Sequence, residues 1–127
     1  YRAAIHPATN ISGRSKVGDG TVVMAGVTIN ADTAIGQHCI INTNASVDHD
    51  CRISDFVHIS PNASLCGNIG VGEGTHIGAG ATIIPNLNIG RWCTIGAGAV
   101  IVKDVPDYAV VVGNPGRIIK YNVTTDS

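Results

Sequence analysis

The chain has 127 residues, a single-domain length, with eight basic and nine acidic residues for a net charge of −1. That balance excludes recognition of nucleic acid or a membrane surface by bulk charge, and no apolar run approaches the ~18 residues of a membrane span. Hydrophobic residues make up 44% but aromatic ones only 4%, beside 16 glycines, so the core must be an ordered array of aliphatic side chains. The chain opens at Tyr1 rather than Met and shows no signal peptide, which fits a fragment, a processed chain or a trimmed one. The sequons at Asn44 and Asn62 therefore carry no expectation of glycosylation.

From Ile5 onward every sixth residue is Ile, Val or Leu, through Val47, Ile53 and Ile59 to Ile101, seventeen in succession. Those three types fill 33 of the 127 positions, so chance would produce this frame on the order of once in ten billion. The fourth residue after each aliphatic is Ala, Ser, Cys, Thr or Val in fifteen of the seventeen hexads, Ile69 and Leu87 being the exceptions. The third is Gly, Asn or Asp in twelve, the types that accept left-handed backbone angles and so mark a corner. Each hexad thus reads as a short extended segment and a turn, with one large and one small residue facing inward. Three hexads close a triangle and stack at the ~4.8 Å spacing of paired strands, giving nearly six coils and a prism about 27 Å tall. The expected fold is an all-β parallel β-helix over residues 1–105, with 106–127 as a C-terminal cap and tail.

Along this frame the candidate side chains fall in order. His6 lies near the first coil and His38 at a corner, both ordinary places for a polar ring. Cys39, Cys51 and Cys93 take the small inward position, and Cys39 and Cys93 are ~14 Å apart, too far for a disulfide. The four cysteines show no metal-ligand spacing and read as free thiols of a cytoplasmic protein. His49 sits between Asp48 and Asp50 at an outward position, with Ala31 one coil below and Gly67 one coil above. Small neighbours leave room over the ring, and Asp50 can hydrogen-bond one ring nitrogen and strengthen the other as a base. A surface histidine between two solvated acids accounts for the same residues on spacing alone. His58 and His76, eighteen apart, stack on adjacent coils. Two nitrogens without a third make a poor zinc site, so no metal is expected.

The runs VDHDCRISDFVHISPNASLCG, VGEGTHIGAGATIIPNLNIG, IGAGAVIVKDVP and VVVGNPGRIIK resemble the hexapeptide-repeat acyltransferases. They are most similar to the NeuD-type branch, sugar O- and N-acetyltransferases that include enzymes acting on 4-amino sugars. The resemblance covers residues 5 to 105 and implies a left-handed coil, against the general preference for right-handed crossovers. It also implies acetyl-CoA as co-substrate, His49 as general base and Asp50 as the acid that tunes it. His58 becomes a coenzyme contact, with backbone contacts at Ala79 and Ala97. Ser54 stands where glycine is usual, and His76 belongs to no signature of the family and reads as a surface residue. Cys51, which follows the pair, points inward and is no nucleophile.

Acetyl-CoA is already an activated donor, so the base needs only to take a proton from the attacking amine or hydroxyl. His49 and His58 are half a coil apart and project from different faces, so one pocket holds both most easily between subunits. The family's homotrimers, with three interfacial sites, imply the same assembly here. Past Ile101 the repeat stops at Pro106: AVVV reads as a strand, GNP as a turn and GRIIK as the start of a short helix or cap. The family's tail lies near the coenzyme, making Arg91, Lys103, Arg117 and Lys120 candidates for its phosphates, though solvated cations would look the same. Only residues 1–4 precede the first hexad, so the small nucleotide-sugar-binding domain usual in the branch is not expected within this stretch. The leading expectation is acetyl transfer to a sugar. A small non-sugar acceptor, or a catalytically silent trimeric scaffold, stands beside it.

Overall fold

In a computed structural model of the chain, residues 2–122 are described; expectations that reach Tyr1 or residues 123–127 lie outside them. Seventeen two-residue strands follow one another from β1 (Ala4–Ile5) to β17 (Val100–Ile101), spaced by the hexad. Every third strand pairs in parallel with the one a coil away, producing three sheets of eight, six and five strands. The result is the parallel β-helix that the six-residue frame predicts, consistent with the left-handed form that the resemblance to hexapeptide-repeat proteins implies. The first wall carries the strands that open at Val22, Ile40, His58, His76 and Thr94. The second carries those opening at Thr28, Ser46, Ser64 and Thr82, the third those opening at Ala34, Arg52, Gly70 and Asn88.

Both inward columns are filled as the pattern requires. The aliphatics from Val23 to Ile101 are buried, and so are the small residues between them, including Cys39, Ala45, Cys51, Ala63 and Cys93. Where the small residue is Thr21, Thr33 or Thr75, its hydroxyl is buried but satisfied: it donates to the Gly36, Asp48 or Gly90 carbonyl at 2.7–2.8 Å. It also accepts the N–H of the cysteine one coil above, Cys39, Cys51 or Cys93. This double use leaves none of these three hydroxyls unpaired.

The corners obey one backbone rule. Every sixth residue from Gly20 to Gly98 has a positive φ, and the non-glycine members include His38 (55°), Phe56 (60°) and Trp92 (53°). A bulky ring in that region is uncommon for an L-residue, so the stack, not local preference, sets these corners. The two ends differ. Ile5 in the first coil is 46% exposed, whereas the last coil is covered by β18 (Ala109–Val112), which joins the first wall in parallel beyond Thr94. GRIIK, expected to start a short helix or cap, is β19 (Arg117–Tyr121), antiparallel to β18. The β-branched pair Ile118–Ile119 and an unpaired neighbouring edge favour the strand.

Candidate active site

His49 and Asp50 occupy the corner between the second and third walls, just after β8 (Ser46–Val47) and before β9 (Arg52–Ile53). The two expected partners do meet: His49 Nδ1 lies 3.0 Å from Asp50 Oδ2. Both side chains are more than half exposed, at 59% and 57%. Asp50 holds φ 58°, which turns its carboxylate back toward the ring. On the other flank Asp48 Oδ1 accepts the His49 N–H and the Asn30 side-chain N–H, both at 2.8 Å. Those bonds, the Asn30 one foremost, hold the Asp48 carboxyl below the usual carboxylate range, so it stays ionised.

Two supports of this corner, Thr33 and Gly67, come from neighbouring coils and are visible in sequence only through the stacking interval, while a third, Arg52, is local. Thr33 donates from beneath to the Asp48 carbonyl and receives the Cys51 N–H, bracketing the pair. Arg52 donates to the Asp50 carbonyl at 3.0 Å and to Asn68 Oδ1 at 3.1 Å. Gly67, with φ 125°, lies above the ring: a Cβ there would stand 3.1 Å from His49 Nε2. With Nδ1 engaged by Asp50, Nε2 is the nitrogen that faces this opening. The surrounding groove holds about 590 Å³ and is lined by Asp32, His49, Asp50, Arg52, Asn68 and Asn86.

His58 lies elsewhere, at the start of β10 (His58–Ile59) on the first wall. Within one protomer it does not share the His49 groove. Its ring stacks on His76, centroids 4.5 Å apart. Burial, with the neighbouring His76 adding to it, lowers the pKa of His58 and favours the neutral ring. Ala79 and Ala97 are exposed at the corner between the first and second walls, one above the other. Gly98 N–H donates to the Ala79 carbonyl at 2.8 Å, while among the described residues neither alanine's own N–H meets a protein acceptor. Gly78 beside them must stay glycine, because a Cβ there would come within 2.6 Å of Ala97 N.

The remaining candidates sort simply. Arg91 pairs with Asp107, at 3.4 Å. Lys103 and Arg117 flank a cavity of about 200 Å³ between the last coil and the hairpin, and Lys120 is exposed on β19. Among the described residues no three His, Cys, Asp or Glu side chains gather as a metal site would need. All four cysteines are free, and Cys51 points into the core, its thiol pushed up chiefly by burial. With Ellman's reagent at neutral pH we therefore expect Cys66, the half-buried one, to react in the native protein. Cys39, Cys51 and Cys93 should react only after denaturation. Fast native reaction of a second thiol would contradict the inward placement.

Residues 68–103 match the family described as bacterial transferase hexapeptide (six repeats). No curated protein matches the chain. Among solved structures it is similar to an alanine variant of GDP-perosamine N-acetyltransferase from Caulobacter crescentus, in complex with CoA and GDP-perosamine. That match has 45% identity and a TM-score of 0.92, covering 93% of this chain and 56% of that one. It is also similar to the acetyltransferase domain of PglB from Neisseria gonorrhoeae with acetyl coenzyme A, at 44% identity, TM-score 0.92 and 93% and 58% coverage. WeeI from Acinetobacter baumannii matches at 34% identity, TM-score 0.86, with 89% and 56% coverage. The chain thus spans a little over half the length of each of these proteins.

Proposed function

We propose, because this chain belongs to the hexapeptide-repeat transferases, that it carries an acetyl group from acetyl-CoA to the amine or hydroxyl of a nucleotide-linked sugar. The observation that carries the reading is the His49 Nδ1–Asp50 Oδ2 contact of 3.0 Å at a solvent-facing corner. Asp50 accepts Nδ1–H, which leaves the Nε2 lone pair free toward the space over Gly67. An acceptor amine or hydroxyl placed there loses its proton to Nε2 as it attacks the thioester carbonyl; the thiolate of coenzyme A leaves and is reprotonated. No covalent enzyme intermediate is needed. The neighbours bound to CoA and to GDP-perosamine support acetyl-CoA and a sugar nucleotide as the substrates.

His58, Ala79 and Ala97 form the coenzyme side in this reading, His58 by its ring and the alanines by their backbone N–H groups. A homotrimer joins that side of one subunit to the His49 corner of the next. The distribution of apolar surface supports it. Ile40 (37% exposed) on the first wall, with Phe56 (55%) and Trp92 (45%) along its leading edge, are uncovered. The second wall turns Thr28, Ser46, Ser64 and Thr82 outward, the third Arg52 and Asn88. Contiguous exposed apolar groups mark interaction surfaces. Changing Phe56 and Trp92 together to asparagine, which tolerates the corner geometry, is expected to shift sedimentation from trimer to protomer. An undiminished trimer at micromolar concentration would place the interface on another face. The reading locates the protein in the cytoplasm, where acetyl-CoA and reduced thiols coexist.

The direct test is release of coenzyme A from acetyl-CoA against a panel of amino sugars and their nucleotide-linked forms. Turnover confined to small non-sugar amines would move the acceptor class, and none on any acceptor would favour the scaffold. A second variant probes the opening itself: Gly67→Ala should lower kcat by roughly 10²-fold, because the added methyl crowds the base and alanine strains the backbone at φ 125°, both of which shift the ring. An unchanged rate would take Nε2 out of the reaction.

A further inference from the structure

His58 and His76 occupy the same place on successive coils of the first wall, their Cα atoms in register. Their rings are 16° from parallel. His76 is tethered, since Ser60 Oγ lies 2.9 Å from its Nε2. Next to it, His58 Nε2 is closed off from solvent and meets no hydrogen-bond partner among the described residues, although the residue as a whole is only half-buried. Buried polar atoms are nearly always paired, and an orphaned N–H is rarer than an under-used acceptor. The proton of the neutral ring therefore belongs on Nδ1, with the bare lone pair on the covered side.

We infer that His76 is a positioning residue: anchored by Ser60 and stacked on the face of His58, it holds that ring with Nε2 turned to the covered side and thereby presents Nδ1–H as a single, oriented donor to a carbonyl oxygen of acetyl-CoA. This rests on the reading of the first wall as the coenzyme side. The amide and thioester carbonyls of acetyl-CoA are acceptors only, so a ring with one exposed N–H and no exposed lone pair suits them. A ring free to exchange tautomers would spend part of its time offering the wrong group. His76 is itself exposed, so its substitution leaves the packed column behind it intact.

The test uses the full chain with its imidazoles labelled in nitrogen-15. Without coenzyme, multiple-bond spectra should show His58 protonated on Nδ1; His76→Ala should give an averaged tautomer mixture, and His76→Phe, which keeps a flat cover, should restore the single form. In assays, His76→Ala should raise the acetyl-CoA KM roughly five- to tenfold, the scale of one lost hydrogen bond, with kcat held within about twofold. His76→Phe should recover the parent KM, and Ser60→Ala should fall between. A parent His58 protonated on Nε2, or a spectrum unaltered by His76→Ala, overturns the positioning role. An Nδ1–H resonance that saturating acetyl-CoA leaves unmoved overturns the donor role and the coenzyme reading of this wall, while the tautomer itself stands.

Discussion

Replacing His49 with alanine is expected to lower kcat by roughly 10²–10⁴-fold, the usual contribution of a positioned general base, with the fold unchanged. The side chain is 59% exposed and fills no core space, so its loss removes chemistry without opening a cavity. The backbone of the corner is held independently of the ring, by Asn68 N–H on the His49 carbonyl and Asp50 N–H on the Ala31 carbonyl. Steady-state kinetics beside a thermal melt separate the two effects. A variant as active as the parent would remove this imidazole from the reaction. Asp50→Asn makes the complementary cut: asparagine keeps the positive φ that Asp50 adopts, yet takes away the charge that steadies the ring as it gains a proton. Its loss should be smaller than that of His49→Ala and should fall on kcat. Mixing two variant chains sharpens the assignment further. His49→Ala chains combined with chains altered at Ala97 should regain activity if the two halves of a site come from different subunits. No complementation at any mixing ratio would return the site to one chain.

Ile59→Ala is expected to cost about 2–5 kcal/mol of unfolding free energy, as other large-to-small core changes do. Ile59 is fully buried, with Ile41 and Ile77 in register on the coils to either side, so neighbours in the column cannot close the gap without breaking ladder bonds. The same change at Ile5, which is 46% exposed in the first coil, should cost well under half as much. Denaturant unfolding of the two variants measures the gradient. Equal costs would mean that stability is not distributed coil by coil as the stacked core requires. Ile59→Val, which loses one methylene, should fall near 0.5–1.5 kcal/mol.

Most of the fold was legible because burial in a solenoid repeats with the chain: one large and one small residue per hexad can be counted without knowing any contact. The aromatic corners were not legible in the same way. Phe56 and Trp92 give no local sign of a left-handed backbone; the coils above and below impose it. The hairpin partner of AVVV is not legible, because a two-residue apolar run such as Ile118–Ile119 has too little period to separate helix from strand. At the site, His49 and Asp50 were legible as sequence neighbours. Thr33 and Asn30, which brace the corner from one coil away, needed the stacking arithmetic carried to residues that look unremarkable alone. The same arithmetic stacks His76 on His58. Its tie to Ser60 and its flat stacking on its neighbour have no sign in the sequence.

The eighteen-residue pairing interval, seen in registers such as Ile40 with His58 and His58 with His76, also dictates how a chain like this can change length. Duplicating or excising a whole block of eighteen leaves each surviving side chain pointing as before and merely lengthens or shortens the column. Deleting a single residue upstream of Val47 would turn the aliphatics outward and the polar positions inward until a bulge absorbed the slip. Shortened or lengthened variants should therefore remain soluble when the change is a multiple of six, with each side chain kept on its own wall only at multiples of eighteen, and aggregate when the change breaks the hexad.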